Sequence, residues 1–207
     1  MRDQLLFRGR DARRVFVAAG ESQDDVGLGN GAHELDLMVD GLPAGDYDFS
    51  WCRWVAAFVP NPAMLIQKLS GVLPSGAVAM FHEYGQYDTW GYYPALPHHG
   101  RFRELVVESW KKSGGEPDVA PIVLGLLPKH GFTIRSIRPL IFCVRPNHYM
   151  WQWAAEFVDN YLPRLREMGQ VDEQFVQIFK AELARAESDS NCVMMTPLVL
   201  EIVAEKI

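Results

Sequence analysis

Tyr47-Asp-Phe-Ser-Trp-Cys52 is followed by Pro60-Asn-Pro62, by Met64, Leu65, Leu69, Val72 and Leu73, and then by Pro74-Ser-Gly76 and Ala77-Val-Ala-Met-Phe81. The first piece is rich in aromatic residues and leaves the turn cluster Gly41-Leu-Pro-Ala-Gly-Asp46, which predicts a strand. In the second, apolar residues recur at helical spacing between proline and glycine breakers, which predicts a helix of about three turns. The last is a short continuous apolar run of the kind shown by parallel strands covered on both faces. Strand, helix, strand is a crossover unit.

The same pattern continues outward. Arg101 to Lys112 and Ala120 to His130 read as helices, the second closed by His130-Gly131 in the manner of a glycine C-cap. Phe132 to Val144 returns to strand. Tyr149 to Ala186 reads as helix in two pieces with a break near Met168-Gly169-Gln170, and Pro197 to Ala204 is a final β-branched, apolar strand. Upstream, Asp11 to Ala19 is compatible with a short helix, Gly20 to Gly31 is loop, and Ala32 to Met38 is a short strand. Alternating strands and helices imply an α/β sheet. With no repeat or long linker, residues 1–207 are expected to form a single domain, with a helical insertion at about 148–188.

Composition narrows the function. The 207 residues are 48% hydrophobic, enough for a sizeable core, and the formal net charge of -6 argues against binding a phosphate backbone. No window approaches the roughly 18 apolar residues of a membrane span, and Arg2, Asp3, Arg8, Arg10 and Asp11 break any signal-peptide core. The default compartment is therefore the cytoplasm, with a small-molecule substrate as partner rather than nucleic acid or membrane. Cys52, Cys143 and Cys192 have no C-x-x-C spacing and read as reduced thiols. His98 and His99 are adjacent, so they point in different directions, and no third ligand completes a metal site.

Leu42-Pro-Ala-Gly-Asp-Tyr-Asp-Phe-Ser-Trp-Cys-Arg-Trp-Val55, Phe58-Val-Pro-Asn-Pro62, Leu69, Leu73-Pro-Ser-Gly76 and Leu127-Pro-Lys-His-Gly-Phe132 stand in order at a spacing that resembles class I S-adenosylmethionine-dependent methyltransferases. Ser75 stands where that family usually has glycine. The resemblance implies a Rossmann-like sheet, mainly parallel, with helices on both faces and an antiparallel last strand, Leu198 to Val203, beside the Phe132 to Val144 strand. It also implies S-adenosylmethionine as cofactor and a small-molecule methyl acceptor. Gly27-Leu-Gly29-Asn-Gly31 superficially matches the family's glycine turn, but no buried strand precedes it, and the interval to Asp48 is too short for the intervening crossovers. The fold is thus expected to be incomplete at its N-terminus. The edge left bare would be covered by a second copy, giving a homodimer, or by the segment Leu5 to Ala19. The competing reading is a non-catalytic binding or dimerisation module on the same scaffold; a hydrolase is disfavoured because no G-x-S-x-G elbow occurs.

Ligands of doubly wound sheets sit outside the carboxyl ends of the strands. By resemblance, Asp36 and Leu37 would hold the cofactor, the Asp36 carboxylate accepting from its adenine amino group, and the backbone at Cys52, Arg53 and Trp54 would run along its methionine portion. His82-Glu83-Tyr84, with Gln86, Tyr87, Asp88, Trp90, Tyr92 and Tyr93, is the densest polar and aromatic cluster in the chain. His82 and Glu83 are the candidate general base pair. Tyr84, Trp90, Tyr93 and Trp151 are candidate substrate contacts, and Arg53, His82, Glu83, Tyr84 and Trp90 the expected pocket rim. For the aromatic residues the competing role is core packing.

Overall fold

In the computed structural model two short strands, β1 (Gln4–Gly9) and β2 (Val15–Ala18), form an antiparallel pair, and β1 lies antiparallel along β3 (Tyr47–Arg53). The structure describes residues 4–9, 15–18, 35–43, 45 and 47–207. Helix α1 (Pro62–Val72) carries the chain from β3 to β4 (Val78–Gln86), which pairs parallel to β3 from Phe49↔Val78 to Arg53↔His82. Asn61 caps α1, its side chain accepting from Met64 N at 3.2 Å, and Pro62 presets the first turn.

The described chain falls into two compact units. The first comprises Met1–Gly85, Ser113–Leu140 and Val199–Ile207, and it also contains α3 (Ala120–Leu126), β6 (Phe132–Leu140) and most of β9 (Leu198–Lys206). Its sheet has the order β2-β1-β3-β4-β9-β6, with β9 between β4 and β6 and antiparallel to β6. Cys52, Ala79, Phe81, Ile202 and Ala204 from the strands meet Leu65, Ile66 and Leu69 of α1 and Val123 of α3 in one buried cluster. Each fully buried aliphatic side chain there contributes roughly 1.5–3 kcal/mol.

The second unit comprises Gln86–Lys112 and Ile141–Leu198. It has a small antiparallel sheet of β5 (Gly91–Tyr93), β8 (Val193–Met195) and β7 (Cys143–Val144), and three helices, α2 (Pro97–Lys112), α4 (Tyr149–Glu167) and α5 (Glu173–Ser188). The break between α4 and α5 falls at Gly169, whose φ of +68° no β-carbon would favour. Trp90, Phe102 and Phe179 fill its core.

Several expectations change. The sheet is mixed rather than mainly parallel: β1 lies antiparallel to both β2 and β3, β9 is antiparallel to β6, and the short connection of the β1-β2 hairpin can return only an antiparallel strand. That same hairpin covers the edge of β3 with the segment beginning near Leu5. Val15 to Ala18 is strand, not helix, in keeping with its Val-Phe-Val run. Residues 37–39 form a turn where Ala32 to Met38 was expected to be strand; residues 32–34 and the Gly27 to Gly31 segment lie outside the described residues. β4 continues past Phe81 to Gln86, α2 begins at Pro97 rather than Arg101, and Phe132 to Val144 divides into β6 and β7 in separate sheets. Among the described residues no helix is long and apolar enough to cross a membrane, and no group of His, Cys, Asp and Glu is placed to hold a metal ion.

Candidate functional site

Because β4 runs through Gln86, His82 and Glu83 are consecutive residues of a strand and project from opposite faces of the sheet. They do not form the expected pair. Glu83 is fully buried and faces the helical core. Its Oε1 accepts from the backbone N–H of Val55 at 3.1 Å and of Ala56 at 3.0 Å, and from the Cys52 thiol at 3.4 Å. Oε2 has no hydrogen-bond partner among the described residues. Burial pushes the Glu83 carboxyl up to about 8, against the lowering effect of those donors, and burial together with Glu83 pushes the Cys52 thiol well up. This carboxyl holds the turn after β3 in place.

His82 faces the other side. The Trp51 indole donates to its Nδ1 at 3.3 Å, which leaves the ring proton on Nε2, and Nε2 donates to Glu201 at 3.0 Å. Arg138 binds the second oxygen of Glu201 at 2.8 Å. Burial lowers the pKa of His82, and Arg53 and Arg138 lower it further, against the opposing pull of Glu201. The imidazole is held neutral with both nitrogens engaged.

Arg53 is the register partner of His82 at the carboxyl end of β3. Its guanidinium carbon lies 4.1 Å from the centre of the Trp54 ring system and 6.0 Å from that of Trp51. Trp54 adopts a left-handed φ of +55°, which turns the chain sharply and stacks its indole on Tyr84 at 5.7 Å. A non-glycine residue keeps such a conformation only where its surroundings impose it. Here the Trp54 N–H donates to His82 O at 3.0 Å, and the Glu83 contacts to Val55 and Ala56 fix the next two residues.

The remaining expected contacts sit elsewhere. Asp36 is exposed, and its carboxylate accepts from Met38 N at 2.8 Å within a local turn; Leu37 is buried in the core, and its carbonyl accepts from Lys68. In the second unit Trp90 is buried, edge-on to His99 at 4.7 Å, and the carbonyls of Asp88 and Trp90 accept from Arg103. Trp151 is buried edge-on to Tyr92 at 5.5 Å, whereas Tyr93 is exposed. Tyr92 and Trp151 with Asp159, Lys180 and Glu187 line a cavity of about 180 Å³. Trp51, Glu201 and Arg138 were not singled out from sequence. Their alternation on neighbouring strands was the available signal, but it required the register of β9.

Of the residues assigned by resemblance to S-adenosylmethionine, Arg53 and Trp54 lie at the carboxyl end of β3, the end at which doubly wound sheets hold ligands. Asp36 spends its carboxylate on Met38 N within a local turn, and Leu37 is packed in the core. The strand beside Arg53 is β1, entering at Gln4 and running away antiparallel, so no strand-to-glycine turn faces the site among the described residues.

Neither a protein-family model nor a curated protein matches this chain. Solved structures similar to it include a Bacillus halodurans protein assigned as a methyltransferase, with 12% identity, a TM-score of 0.48 and coverage of 85% of this chain and 71% of that one. Another is the cyclase SpnF, with 17% identity, a TM-score of 0.44 and coverage of 85% and 56%. A third is geranyl diphosphate C-methyltransferase from Streptomyces coelicolor, with 12% identity, a TM-score of 0.43 and coverage of 86% and 54%. The chain thus spans little more than half the length of the last two.

Proposed function

We propose that this chain is an S-adenosylmethionine-dependent methyltransferase for a small-molecule acceptor, which it binds at the carboxyl ends of β3 and β4. The observation that carries this reading is the place of β9, antiparallel to β6 and inserted beside the parallel β3-α1-β4 crossover. That is the sheet half which the sequence resemblance implies, and the polar and aromatic side chains gather at the strand ends where such sheets hold ligands. When bound, the cofactor supplies a methyl group activated as a sulfonium. Of the chain's own residues, Arg53 and Trp54 meet the ligand, Glu83 fixes the turn that presents them, and His82 stays neutral beside them. A sulfonium donor needs in-line placement of the acceptor more than a strong base, so a neutral, fully engaged histidine suits the role of a wall.

A second reading is a binding module that takes the acceptor without the cofactor. The antiparallel entry of β1 beside Arg53 favours it. Isothermal titration with S-adenosylhomocysteine separates the two. Saturable binding supports methyl transfer, and no heat on titration, with the chain folded by circular dichroism, leaves the module.

A further inference from the structure

Arg53 stands apart from the other arginines of its unit whose side chains are described. Arg135 meets Glu205 at 3.0 Å and Arg138 meets Glu201 at 2.8 Å. Arg53 is half-buried and has neither a carboxylate nor a hydrogen-bond acceptor among the described residues; its guanidinium lies over the Trp54 ring, with Trp51 farther off and Tyr84 close enough to act on its charge. Glu201 is already taken by His82 and Arg138.

A guanidinium carries five N–H donors in a planar fork that matches a carboxylate or phosphate edge. Stacking on an indole uses the face of the guanidinium and leaves the donors in its plane unspent. The left-handed φ of Trp54 and the two hydrogen bonds of Glu83 hold the turn that carries that stacking surface. A donor array of this kind, partly withdrawn from water and with no carboxylate beside it among the described residues, suits an anion from outside.

We infer that Arg53 is the recognition residue of an oxyanion site, and that the small-molecule acceptor carries a carboxylate or phosphate group that docks there. This rests on the reading that the acceptor binds at this end of the sheet. Trp51, half-exposed beside the guanidinium, offers an apolar wall for whatever the anionic group is attached to.

The test is calorimetric, on the full chain without cofactor, with benzoate, phenyl phosphate and the neutral isostere benzamide as probes. The expected result is binding of at least one anion and none of benzamide, with the stronger anion naming the group. Arg53→Gln should weaken that binding at least about tenfold, the usual consequence of losing a hydrogen bond to a charged group. Arg53→Lys, which keeps the charge but not the fork, should fall between. Equal binding of benzoate and benzamide, or anion binding unchanged in Arg53→Gln, overturns the site, as does the absence of any anion binding to the folded wild type. The wild-type probe comparison stands even if the variants fail to fold. Because no cofactor is present, the result is independent of the S-adenosylhomocysteine titration, and either can fail alone.

Discussion

The Trp51 indole donates its N–H to Nδ1 of His82, 3.3 Å away, and this contact decides which imidazole nitrogen carries the proton. Protonating His82 would set two N–H groups against each other. Trp51→Phe removes that opposition, so the His82 pKa should rise in the variant. An NMR titration of the imidazole reads it, and an unchanged or lower value would show that the indole plays no part.

Glu83 makes stability depend on pH in a calculable direction. Above about 4.5 an unfolded Glu has lost its proton, whereas the native Glu83 keeps its proton up to about 8, so rising pH favours unfolding between those values. His99 acts oppositely: buried and held neutral down to about 3, it opposes folding as pH falls below its ordinary 6.5. The window from 6.5 to 8 therefore isolates Glu83. Melting temperatures should decline across it in the wild type and stay level in Glu83→Gln, whose amide oxygen still accepts from Val55 and Ala56. A parallel decline in both proteins would locate the effect elsewhere.

In the second unit, α2 has no acidic residue in its first turn; the carboxylate that serves it comes from α5. Glu182, buried, accepts from His98 N at 3.1 Å and bonds His98 Nδ1 at 2.7 Å. It caps the His98 N–H in the first turn, at the positive end of the helix. Glu182→Ala should cost about 1–2 kcal/mol in urea denaturation, in the range of other lost caps. A loss within error would mean that solvent serves α2 equally well.

This pair also explains what was legible in advance. α1 carries its own cap and breakers in the order Asn61, Pro62, Leu73, Pro74, so its limits could be read locally. The start of α2 could not, because its cap lies 84 residues away on α5. β9 was recognisable as an apolar run, and its neighbour β6 was expected. The three-residue strands β5 and β8 escaped notice because so short a run shows no periodicity, and β7 was read as the end of one strand with β6. Glu83 was singled out as polar after a strand, but the strand's continuation to Gln86 turned it inward and separated it from His82. Asp36 leads into a local turn at residues 37–39, where its carboxylate accepts from Met38 N; residues 31–34 before it lie outside the described residues.

Gly131 closes the 3₁₀ turn Pro128–His130 at φ +77°, and its N–H donates to Pro128 O at 3.3 Å. A β-carbon in this conformation costs about 1–2 kcal/mol. Gly131→Ala should lose that amount by chemical denaturation without altering anion binding at Arg53. A variant as stable as the wild type would show that the turn relaxes to another conformation.

The place of β9 also sets an order of events during synthesis. β3, α1 and β4 leave the ribosome early, and β6 follows, but β6 has no strand to pair with until residues 141–197 have been made and β9 emerges. Most of the second unit's chain lies in that interval. A nascent chain paused there would carry β4 and β6 with bare flanks, the state most prone to stick to neighbouring chains. Burying Ile202 and Ala204 then closes the first unit's core in one late step.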